Sequence, residues 1–173
     1  SAAFSAIGAF ALSTGAQLPP ANPTATAQEE AITLAPGANF LRQYVIRSWQ
    51  TQDGLPQNSV TAIAQTHDGY LWLGTFNGLA RFDGVRFKTF NAVNSPGLAS
   101  DGINGLCVAT DGTLWIATVG GGVACYSRGE FRSFGPAEGV EEEEVYNVVP
   151  GRKGHVWAQT RKKLYWWNGE RLV

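Results

Sequence analysis

The stretch "HDGYLWLGTFNGLARFDGVRFKTF", His67 to Phe90, decides the fold. It runs from an Asp-Gly turn through "LWLGT", turns again at Asn77-Gly78, and reaches a second Asp-Gly at Asp83-Gly84. Glycine tolerates positive φ, so Asp-Gly suits two-residue hairpins, and the apolar and aromatic runs between the turns fit short antiparallel strands.

The pattern recurs. "VTAIAQTHDGYLWLGTFNGLARFDG" from Val60 aligns with "INGLCVATDGTLWIATVGGGVACYSRG" from Ile103 and "VYNVVPGRKGHVWAQTRKKLYWWNG" from Val145. Trp72, Trp115 and Trp157 are spaced 43 and 42 residues apart, and so are the turns Asp68-Gly69, Asp111-Gly112 and Lys153-Gly154. A second turn closes each unit, at Asp83-Gly84, Arg128-Gly129 and Asn168-Gly169. The quartets "IRSW" (46–49), "FKTF" (87–90) and "FRSF" (131–134) share an apolar, basic, hydroxyl, aromatic order. That order fits an outer strand whose polar residues guard a sheet edge. Four short strands per ~40–45 residues is the period of a β-propeller blade. The fold expected is all-β: about three blades of four antiparallel strands, an incomplete propeller, spanning 46–84, 87–129 and 131–169 within a repeat region of 44–173.

Composition agrees. The 21 Gly with 6 Trp, 9 Phe and 5 Tyr suit turns and strands better than helices, and the formal charge of −1 lacks the basic excess that nucleic acid would require. No Lys or Arg precedes Arg42. "AAFSAIGAFAL" (2–12) has the length of a signal-peptide h-region, so residues 1–17 read as a signal-peptide remnant, with an untargeted alanine-rich extension as the alternative. Residues 18–43, rich in Pro, Ala and Thr, read as an irregular linker. There is no Met, so the chain is expected to be a processed or truncated product.

The repeat resembles the two-component regulator propeller family, through "DGLPQNSV", "DGYLWLGT", "GLARFDG" and the trailing "FKTF". The second unit keeps "DGTLWIAT" but has "GGGV" at 120–123, and the third is degenerate: "RKG" stands for the first Asp-Gly, and "RKKL" replaces the glycine turn before the third strand. The resemblance implies an exported sensor region, preceding a membrane helix and a histidine kinase or cyclase output domain. It thus implies an extracytoplasmic or periplasmic module that binds a small molecule, carbohydrate among the candidates, with further blades and signalling domains beyond Val173. A propeller enzyme similar to the streptogramin lyases and a passive interaction scaffold are the competing readings. No kinase, cyclase or receiver motif occurs in these residues.

Side chains that carry chemistry are few. Cys107 and Cys125 fall in the first and third strands of one blade, about 9–10 Å apart, beyond the ~7 Å a disulfide allows, so two separate thiols are expected. His67 and His155 would lie at comparable heights on adjacent blades, without carboxylate or Cys at ligand spacing. "VGGGV" (119–123) resembles a phosphate loop but is followed by no helix, so a tight turn explains it. "EEEE" (141–144) could hold a cation or a basic ligand, although a charge run is more often a solvated loop. "RKK" (161–163) is expected to be an exposed turn without partner. No catalytic, metal or cofactor residue is assigned, and the ligand-binding residues are left open. Blade faces without a neighbour would promote self-association.

Overall fold

The structure is a computed structural model that describes residues 47–141 and 144–173. The expected signal-peptide remnant and linker lie outside the described residues. Three antiparallel sheets follow one another along the chain. The first runs β1 (Val60–Gln65), β2 (Leu71–Thr75), β3 (Gly78–Phe82), β4 (Phe87–Phe90), in that spatial order. The second repeats it with β5 (Ile103–Val108), β6 (Leu114–Thr118), β7 (Val123–Ser127) and β8 (Glu130–Phe134). The third holds β9 (Val145–Pro150), β10 (Val156–Thr160) and β11 (Leu164–Trp166). Leu172 forms an isolated antiparallel bridge to Trp167, and Val173 exchanges two backbone hydrogen bonds with Trp166. Among the described residues the architecture is all-β, three propeller units in a row that do not close a ring.

The pairing corrects the expected bounds 46–84, 87–129 and 131–169. Those bounds join each quartet to the unit after it, whereas Phe87–Phe90 pairs with β3, and Glu130–Phe134 with β7. The reason is local: each quartet is the return arm of the hairpin just before it. Asp83 takes Val85 N and Arg86 N on its Oδ1 at 2.8 and 2.7 Å, and Gly84 has φ +99°. The equivalent turn in the second sheet places Arg128 (φ +54°) and Gly129 (φ +93°) in the left-handed region, the requirement of a two-residue type I′ loop. The turns after β1 and β5 are longer than the expected two residues. Thr66 N bonds Tyr70 O and Gly69 N bonds Thr66 O, leaving three residues in the loop, with the glycine in the left-handed position. Of the first quartet, Arg47 to Trp49 form no strand.

The core lies between the sheets. Trp72, Leu79 and Phe90 of the first sheet meet Ile103, Leu114, Ile116 and Ala124 of the second. One repeat later, Trp115, Val123 and Phe134 meet Val145, Val156, Ala158 and Tyr165 of the third. Each crossover between sheets adds a buried aliphatic plug just after a left-handed glycine: Gly97-Leu98 and Gly139-Val140. Ahead of the first sheet, Gly54-Leu55 does the same, packing with Leu73, Ala80 and Phe82. Trp49 also stands there, with its ring 5.0 Å from Phe82. That is the place Phe134 takes against Trp167 at 5.2 Å.

The innermost strands are tied by a second device. β1 and β5 each carry a bulge, at Thr61 and Asn104, which takes that side chain out of the strand alternation. Thr61 Oγ1 donates to Ile103 O at 2.6 Å, and Asn104 Nδ2 donates to Val145 O at 2.9 Å. Thr61→Val keeps the shape and removes the donor. It should lower stability by about 0.5–1.5 kcal/mol in urea denaturation, the net worth of one part-buried hydrogen bond.

Candidate functional site

Two surfaces have the form of a binding site. The first is the rim made by the hairpins that follow Thr75 and Thr118. Both threonines are fully buried and close their turns the same way, Thr75 Oγ1 donating to Gly78 O and Thr118 Oγ1 to Gly122 O. Holding the turn from inside pushes the next residue outward: Phe76 is 51% exposed and Val119 37%. Gly102 sits between these tips; a Cβ added there would lie 2.9 Å from Val119 Cβ and 3.9 Å from Phe76 O. Polar groups surround the pair. Gln57 Oε1 accepts from Phe76 N at 3.2 Å, and Ser100 Oγ donates to Val119 O at 2.5 Å. An exposed ring ringed by amides and hydroxyls can stack on an apolar ligand face while bonding its polar edge.

The second surface is a cleft of about 710 Å³ between the outer strands of the first two sheets, with Lys88, Asn94 and Glu130 over a floor of Phe90 and Phe131. The Lys88 ammonium lies 5.2 Å from the centre of the Phe90 ring.

The residues singled out from sequence fall as follows. Cys107 and Cys125 are free thiols, paired in register to opposite sides of Trp115 across β6, as expected of two strands separated by a third. Burial pushes the Cys107 thiol up to about 12. Burial also raises Cys125, with the nearby Arg132 pulling the other way. Both are therefore neutral and slow to react near neutral pH. At pH 8 the folded chain should alkylate with iodoacetamide more slowly at Cys107 than at Cys125, and urea should release both; mass spectrometry of the time course reads this. Stability is therefore unaffected by the Cys107 thiol below the unfolded thiol range and is lost progressively as pH rises from there through about 12.

His67 and His155 are not brought together. They belong to the first and third sheets, not to adjacent ones, and His155 stands at the repeat position of Tyr70, with Nδ1 3.1 Å from Trp167 O. His67 faces the turn of the second sheet, where a Cβ at Gly112 would lie 3.5 Å from its Nδ1. Among the described residues no group of three or more His, Cys, Asp or Glu could hold a metal ion. "VGGGV" is the β6–β7 turn: Gly120 and Gly122 have φ +80° and +72°. Of "EEEE", Glu142 and Glu143 lie outside the described residues. Glu141 overturns the expectation for "RKK", because Lys163 does have a partner: its Nζ donates to Glu141 Oε2 in an exposed ion pair. The hydrogen bond from Lys163 holds the Glu141 carboxyl below its ordinary value. The reason the sequence hid this is that Glu141 precedes β9 while Lys163 lies in the β10–β11 turn, 22 residues on.

Sequence reading missed the rim pair, the bulge residues and the plugs. A signal for the plugs was present in the "GL" of Gly54-Leu55 and Gly97-Leu98, spaced 43 apart.

The two-component regulator propeller family matches this chain at residues 54–77 and 97–120. Histidine kinase P4 of Formosa agariphila is 45% identical over 53 residues, which are 31% of this chain and 4% of the kinase. A solved chain described as the extracellular domain of a hybrid two component system from B. thetaiotaomicron superposes with a TM-score of 0.64 at 25% identity, covering 72% of this chain and 18% of that one. A second such domain from B. thetaiotaomicron gives 0.61 at 23% identity over 77% of this chain and 18% of that one. Virginiamycin B lyase from Staphylococcus aureus gives 0.55 at 21% identity over 72% of this chain and 42% of the lyase, a likeness of fold alone. The chain thus spans under a fifth of the hybrid-system domains it matches. Among the described residues no helix is long and apolar enough to cross a membrane.

Proposed function

Because this chain carries two-component regulator propeller repeats, we propose that it forms part of an extracytoplasmic sensor that binds a small polar ligand on the Phe76–Val119 rim. The observation that supports it best is the pairing of those repeats with a fold shared by extracellular domains of hybrid two component systems. On this reading, further repeats close the ring and an output domain across the membrane reads the ligand. A neutral oligosaccharide suits the rim, since Phe76 offers a ring for a sugar's apolar face while Gln57, Asn77 and Ser100 offer amides and a hydroxyl nearby.

The test is calorimetric titration of the chain with a panel of neutral oligosaccharides, repeated with Phe76→Ala. Phe76 is half exposed, so its loss leaves the core intact. Binding that disappears in the variant supports the assignment. A panel without any binder, or a binder indifferent to Phe76, rules out the rim as a sugar site.

A further inference from the structure

We propose that the cleft between the outer strands β4 and β8 binds a small organic carboxylate, with its anion held by Arg81 and Lys88 and its apolar body laid on Phe90 and Phe131. Every wall of this cleft comes from the first two sheets and the crossover between them, so the site needs no other part of a ring.

Arg81 and Lys88 stand directly opposite each other across β3 and β4, on the face where Trp72 meets the second sheet. Like charges placed so destabilise a sheet. The repeat itself does not require them. In the second sheet the register puts neutral Cys125 opposite Arg132, and in the third Trp166 takes the Arg81 position. Nor does a carboxylate relieve them, since among the described residues the one ion pair joins Lys163 to Glu141.

Rings hold the Arg81 guanidinium instead, with its carbon 4.2 Å from the centre of Tyr70 and 5.7 and 6.0 Å from the centres of Trp72 and Phe90. Lying over Tyr70 occupies the flat face of the guanidinium and leaves its N–H edges for a planar, two-oxygen acceptor. The Lys88 ammonium is 5.2 Å from the same Phe90 ring, so both cations border the floor of the cleft. Phe90 meets Phe131 at 5.3 Å, which puts an apolar surface beside the charge. Glu130 limits the guest: a second negative group would meet its carboxylate, so a monocarboxylate fits better than a polyanion. The volume of about 710 Å³ is in the range of small-molecule sites.

Amide NMR titration of the 173-residue chain with phenylacetate tests this. Shifts are expected at Gly97, Gly129 and Phe131, saturating at millimolar ligand or below, and the affinity should fall as salt is added. Arg81→Gln should weaken binding roughly 10-fold or more, and Lys88→Gln, at an exposed position, roughly two- to fivefold. Phenylethanol, similar in shape but uncharged, should bind roughly 10-fold more weakly than phenylacetate. Phenylacetate that leaves the cleft amides unmoved, phenylethanol that binds equally well, or binding indifferent to Arg81 overturns the proposal. If Arg81→Gln loses its fold, Lys88→Gln decides in its place. Phe76→Ala should leave phenylacetate binding unchanged, so failure of the rim as a sugar site and failure of this cleft are read separately.

Discussion

Trp72→Ala is expected to lower the unfolding free energy by about 3–5 kcal/mol, a large share of the ~5–15 kcal/mol that holds a domain folded. The indole is 1% exposed, lies 4.8 Å from Tyr126 and 5.4 Å from Phe90, and donates its Nε1 hydrogen to Thr66 Oγ1 at 3.0 Å. Alanine would leave a cavity between two rigid sheets that cannot close over it, because both are fixed by their own ladders. Trp115→Ala should cost a similar amount, since that ring is 3% exposed and packs 5.1 Å from Trp167. Trp157→Ala, at the same place in the third sheet but 37% exposed, should cost only about 1 kcal/mol. Urea midpoints of the three variants check the ranking, and equal losses at all three positions would contradict it.

Gly122→Ala should be nearly as damaging, for a backbone reason. Gly122 has φ +72°, and an added Cβ would lie 2.2 Å from Phe134 O and 3.1 Å from its carbonyl carbon. The left-handed conformation alone costs a non-glycine residue about 1–2 kcal/mol. The clash adds to it, because relief requires moving the end of β8 and with it Phe134, which stacks 5.8 Å from Trp115. Gly69→Ala is the control: φ is +89°, but no atom lies within 4 Å of the added Cβ, so only the conformational cost of about 1–2 kcal/mol remains. Thermal unfolding of the pair separates clash from conformation.

The repeat was legible because its markers are chemically narrow. A Trp, a turn glycine and an apolar run recur in fixed order only where the same backbone path recurs, so the order of the inner three strands and the turn positions could be read from the residues. Phasing was not, because "FKTF" lies between two units and its residue types suit an edge strand of either one. Only the two-residue turn at Gly84-Val85, which returns Arg86 to Asp83, assigns it to the unit before. The rim was hidden for another reason. Phe76 reads as a core residue by type, and its exposure arises from the inward bond of Thr75 to Gly78 O. The Glu141–Lys163 pair depends on the proximity of two loops, which no local pattern encodes.

The bulges at Thr61 and Asn104 bear on how a mechanical signal would pass along the array. Each sheet is internally stiff, being laced by its ladders, while neighbouring first strands are joined by one side-chain bond apiece, at Ile103 O and Val145 O. Farther out, the contact is between apolar side chains buried against one another. The Thr61 and Asn104 bonds thus fix the spacing of neighbouring innermost strands, while the buried rings between the sheets fix their spacing farther out.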